Sequence, residues 1–82
     1  MSATDAAWAA LIDQAEEALR VARRVASERP AGSPDQAAAA SMTTRLPEFL
    51  RDVRRAAHRG RTDAAAYRSV FEQLVTTLRA ID

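Results

Sequence analysis

The chain has no cysteine, no lysine and no asparagine, only two glycines and three prolines, and a single histidine in 82 residues. Each scarcity excludes something. Without cysteine there is neither a disulfide staple nor a thiolate metal site. No run approaches ~18 consecutive apolar residues, so no membrane span is expected. The start Met1-Ser2-Ala3-Thr4-Asp5 carries no basic segment and is soon followed by Asp13, Glu16 and Glu17, which does not read as a signal peptide. A cytoplasmic location is the default. With so little glycine there is no phosphate-cradling loop.

Lysine and asparagine use A-rich codons, and their absence beside 20 alanines and 12 arginines suggests a GC-rich, bacterial genome. The arginines therefore reflect coding bias as well as any need for a forked anion-binding group. The formal net charge of +1 excludes no class of partner.

At this length the chain forms one domain, residues 1–82, with no room for a second core. Setting aside alanine and Met1 leaves 18 larger apolar side chains. A single core of this size supplies only ~3–5 kcal/mol of net stability. With no staple available, self-association is the common remedy, and a homo-oligomer is expected.

Two breaks divide the chain into three helical stretches. The first is Arg29-Pro30-Ala31-Gly32-Ser33-Pro34, which ends in a helix start: Ser33 as N-cap, Pro34 in the first turn, Gln36 placed for a capping box. The second is Gly60-Arg61-Thr62-Asp63, with Gly60 suited to a left-handed stop and Thr62-Asp63 to a new start. Helix 1 is predicted from Thr4 or Asp5 to Glu28, with a heptad seam of Trp8, Ile12, Ala15, Leu19, Ala22 and Ala26 widened by Leu11, Ala18 and Val25. Helix 3 is predicted from Asp63 to Ala80, on Tyr67, Phe71, Leu74, Leu78 and Ile81, with Val70 and Val75 on its edges.

Helix 2 contains Pro47, which removes a donor and crowds the carbonyl of Thr43. Yet Ala39, Met42, Leu46, Phe49, Val53 and Ala56 keep helical phase straight through it. That favours one helix over residues 34–59, kinked between Thr43 and Pro47. The rival reading is two helices, the second capped by Thr44. Short connections make neighbours antiparallel. The expected fold is all-α: an antiparallel up-down-up three-helix bundle with a proline-kinked second helix.

The densest chemistry lies in residues 51–61, with five arginines, one histidine and one acid, Asp52. At 100° per residue, Arg51, Arg54, Arg55, His58 and Arg59 fall within about 140° of one helix face, opposite Leu46, Phe49, Leu50 and Val53. With Arg61 they form a candidate partner- or anion-binding face. It suits an acidic protein or a phosphate backbone. The bland alternative is a solvated face whose arginines pair with Asp5, Asp13, Glu16 and Glu17 of helix 1. Nucleic acid ranks lower as a partner. No aromatic residue is interleaved with the arginines for base stacking, and no zinc-finger, RNP or GXXG signature is present. A helix-turn-helix does not fit, because the basic face reads as remote from the start of helix 3.

Helix 1 offers a second candidate interface in Trp8, Arg20, Arg23 and Arg24. Its plain alternative is a core tryptophan and helix-stabilising pairs, Glu16 or Glu17 with Arg20, worth ~0.2–0.5 kcal/mol each. Catalysis has little to work with. His58 has no triad-like neighbour at helical spacing, the acids lack the Glu-x-x-His pattern of bundle metal sites, and so thin a core leaves no room for a ~300 Å³ pocket. No enzyme, metal or cofactor is expected. The reading is a small non-enzymatic helical protein acting by protein–protein contact, as an adaptor, inhibitor or assembly subunit. Sequence-tolerant binding of nucleic acid or another anionic polymer is the alternative.

Overall fold

The amphipathic periods of the sequence become three helices in a computed structural model, which describes residues 2–82. They are α1 (Ala3–Glu28), α2 (Pro34–His58) and α3 (Ala64–Ile81). Each packs against the other two, making a three-helix bundle 44 Å long.

α1 begins a residue or two earlier than its apolar pattern suggests, because Ser2 caps it. The Ser2 hydroxyl accepts from the Asp5 amide at 3.1 Å, and the Asp5 carboxylate accepts from the Ser2 amide in return. This is a capping box with aspartate in the usual glutamate place. At the start of α2 the Ser33 hydroxyl accepts from the Gln36 amide at 3.1 Å. The expected box is only half made there, since the Gln36 side chain turns to the Ala26 carbonyl of α1. α2 stops at His58, and Gly60 takes φ of 72°, the left-handed conformation for which glycine is suited. Asp63 stands at the N-cap of α3 but makes no capping hydrogen bond. Its carboxylate is held by Arg61 instead.

α2 runs unbroken through Pro47, so the two-helix reading with a Thr44 cap is set aside. The reason is visible in the core. Ala39, Met42, Leu46, Phe49, Val53 and Ala56 are all buried, a seam that stays in phase on both sides of the exposed Pro47.

In α1 the buried line is Trp8, Leu11, Ala15, Leu19, Ala22 and Val25, with Ile12 and Ala26 only half-buried. Leu11 and Val25, which widen the seam on one side of the line through Trp8, Ala15 and Ala22, are fully buried and take the places of Ile12 and Ala26. In α3, Phe71, Leu74, Val75 and Leu78 are buried, Tyr67 and Ile81 are half-buried, and Val70 is 50% exposed. Two aromatic pairs bring α3 to its neighbours. Phe71 stacks on Phe49 at 5.8 Å between ring centres, and Tyr67 meets Trp8 edge-on at 5.3 Å.

The ends are tied by polar contacts. Trp8, in the second turn of α1, donates to the Arg61 carbonyl just before α3. At the other end Arg29 donates to the Ile81 carbonyl at 2.6 Å and Arg24 to the Asp82 carboxylate at 2.6 Å. Glu16 of α1 meets Arg54 of α2.

Candidate anion- and partner-binding face

The C-terminal half of α2 presents its basic residues outward because its apolar residues are committed to the core. Arg51, Arg54, Arg55, His58, Arg59 and Arg61 are all exposed. Intramolecular pairing accounts for two of them. Arg54 donates to the Glu16 carboxylate at 3.1 Å. Arg61 grips Asp63, its Nε at 3.0 Å from one carboxylate oxygen and its Nη2 on the other. This fork-on-carboxylate contact holds the Asp63 carboxyl below its ordinary value, chiefly through the hydrogen bond from Arg61, and raises the Arg61 guanidinium in turn.

Arg51, Arg55 and Arg59 form no ion pair among the described residues. Of the four acids that were candidates to neutralise this face, only Glu16 reaches it. Asp5 caps α1, Glu17 holds Arg20, and Asp13 makes no ion pair among the described residues. A row at i, i+4 and i+8, rising about 6 Å per step, is left with its guanidiniums free.

The helix 1 candidates separate. Trp8 is 3% exposed and its indole Nε1 donates to the Arg61 carbonyl at 2.8 Å, so it is a core residue and not an exposed anchor. Arg20 pairs with Glu17 at i,i+3, its Nε at 2.9 Å, and the i,i+4 pair with Glu16 is not made because Glu16 faces Arg54. Arg24 lies between Asp82 and Glu28. Arg23 is exposed without an ion pair among the described residues. Only Arg23 of this set keeps a charge the fold does not use.

Open grooves of about 240 to 310 Å³ run between the helices. The volume lies at helix junctions on the surface and not within the core. The groove of about 240 Å³ brings Arg55 and Arg59 together with Arg61 and Tyr67, beside Asp52. The guanidinium carbon of Arg61 stands 5.8 Å from the Tyr67 ring centre. So the basic face is not remote from the start of α3, and an aromatic ring does adjoin it, contributed by another helix. Sequence reasoning missed Tyr67 because helical spacing relates residues within one element only. The hint available was Arg61-Thr62-Asp63, an arginine beside an acid at the α3 start.

No helix among the described residues is long and apolar enough to cross a membrane. Comparison of the chain with protein-family models, with curated proteins and with solved structures finds no match.

Proposed function

We propose that this is a small non-enzymatic protein that acts by protein–protein contact, a cytoplasmic bacterial adaptor, inhibitor or assembly subunit that also self-associates. The observation that carries this reading is the free row Arg51, Arg55 and Arg59 on the outward side of the last turns and C-cap of α2. Charged side chains that the fold leaves unpaired fit an acidic protein surface, where complementary charge sets partner choice and encounter rate. Self-association rests on the thin core, on half-exposed Val70 and on the apolar α1–α3 groove floored by Ala18, Val21, Phe71, Val75 and Leu78.

The test is the size of the protein in solution, alone and with duplex DNA. Alone, it should be a dimer or larger at micromolar concentration, with a thermal midpoint that rises with concentration by mass action. A stable monomer at several hundred micromolar would remove self-association from the proposal. The second reading, nucleic-acid binding, is favoured by one feature, the Tyr67 ring beside Arg61. Four phosphate contacts would give a slope of log affinity on log salt of about −3.6. Substituting Arg51, Arg54, Arg55 and Arg59 by glutamine would then abolish binding with helicity intact. The expected result is weak binding that vanishes near physiological salt. A dissociation constant below about a micromolar at that salt, tighter than non-specific values, would make the second reading the function.

A further inference from the structure

The groove at the junction of α2, the residues 59–63 connection and α3 is built from fixed and free parts. Its fixed wall is a relay of contacts. Trp8 is buried and donates to the Arg61 carbonyl at 2.8 Å, Tyr67 packs edge-on against Trp8 at 5.3 Å, and Arg61 spans Tyr67 and the Asp63 carboxylate. Its free parts are the guanidiniums of Arg55 and Arg59, unpaired among the described residues, and the Tyr67 hydroxyl, which has no hydrogen-bond partner there. Asp52 is the one acid in the lining, and it forms no ion pair with either arginine.

From this arrangement we infer that the groove of Arg55, Arg59, Arg61 and Tyr67 is a binding site for a phosphoryl-type oxyanion. Two arginines whose guanidiniums are unpaired and a tyrosine line a space of about 240 Å³, large enough for a phosphate and a small attached group. Guanidinium matches phosphate oxygens in pairs, and hydrogen bonds between ionised groups are about twice as strong as neutral ones. Arg61 closes the site at one side without itself being free, because Asp63 already shares its charge. Asp52 opposes the anion and sets the site to be weak. The inference rests on the reading of Arg55 and Arg59 as charges available to a partner. It differs in placing the ligand in the groove and not along the outward row, so Arg51 has no part in it.

Trp8 is the only tryptophan and touches two parts of the wall, so its emission reports on the groove. The experiment titrates the whole chain with inorganic phosphate and separately with phenyl phosphate, against chloride at equal ionic strength. Trp8 emission and the backbone amide shifts of residues 55–67 are followed together. A saturable change is expected, with a dissociation constant of about 1 mM, the weak end of specific binding. Arg55→Gln or Arg59→Gln should weaken it about tenfold, the effect of one charge-assisted hydrogen bond. Asp52→Asn should tighten it, Tyr67→Phe should weaken it by less than either arginine change, and Arg51→Gln should leave it unchanged. Tighter binding of phenyl phosphate than of inorganic phosphate would identify an aryl phosphate as the source, and equal binding the free anion. A response that follows ionic strength alone, equal losses from Arg51→Gln and Arg55→Gln, or no change in either signal overturns the site. A loss on Arg51→Gln confined to an acidic protein partner, with phosphate binding retained, would separate the two readings.

Discussion

α1 and α2 each bury two alanines among their larger apolar side chains, whereas α3 turns mostly large side chains inward. Ala15 and Ala22 of α1 and Ala39 and Ala56 of α2 are at most 3% exposed, and α1 makes a more extensive interface with α2 than with α3. Alanine at the contact lets two helix backbones approach to the short end of the ~8–10 Å range. α3 contributes one buried alanine, Ala64, and otherwise docks through Phe71, Leu74, Val75 and Leu78. Bulky side chains fill the space between axes but leave clefts beside them. Three of the surface grooves flank α3, and the only large exposed apolar side chain among the described residues, Val70, sits on it. The same amphipathic logic thus leaves one groove of about 300 Å³ between α1 and α2 and three beside α3, one of which holds Arg55 and Arg59.

The strongest way to break this contrast is to remove an aromatic that docks α3. Phe71 is 3% exposed and stacks on Phe49, so Phe71→Ala should cost ~3–5 kcal/mol, comparable with the whole stability of a domain this small. Circular dichroism should show a largely unfolded chain, and a folded, cooperative variant would mean that α3 is not held as described. Enlarging a buried alanine comes next. Ala22 is wholly buried, and Ala22→Leu should destabilise by ~1–3 kcal/mol through overpacking. By contrast Val70→Ala, at a half-exposed position on the grooved side, should stay within ~0.5 kcal/mol in the monomer. Equal losses from the two in denaturant melts would erase the distinction between the interfaces.

The smallest effect concerns the turn that joins them. The Asp63 carboxyl is held below its ordinary value of 3.8 by the hydrogen bond from Arg61. A depressed folded-state value means the contribution is present above that ordinary value and is lost as pH falls through the depressed one. Acid titration of the wild type and Asp63→Asn should therefore converge at low pH and differ slightly at neutral pH. Both partners are exposed, so screening keeps the difference small. A variant less stable than wild type even in acid would assign Asp63 another role.

Much of this was legible in the residues. The buried seam of α2, the breaks at Arg29 to Ser33 and at Gly60 to Asp63, and the exposure of the arginine face all follow from periodicity and turn chemistry. Ser2 as the true start of α1 was legible too, since Ser2-x-x-Asp5 has capping-box spacing, but an apolar pattern beginning at Trp8 gives it no weight. The exchange of Ile12 for Leu11 was harder, because the two flank the line through Trp8, Ala15 and Ala22 on opposite sides and only the docking of the other helices decides which is covered. What charges do was the least legible. Glu16 and Glu17 both stand at helix spacing from Arg20, and only the position of Arg54 on another helix decides that Glu17 takes it.

Sequence alone, then, determined three amphipathic helices, where they stop, and most of the side chains each turns inward, because these depend on residues a few places apart and on the period of one helix. Tertiary structure decided which charges are neutralised and what adjoins them. Trp8, Arg61 and Tyr67 come together across 53 and 59 residues of chain, counted from Trp8. No local spacing encodes such a meeting, because it depends on how three separate seams dock and how far apart their side chains hold the axes.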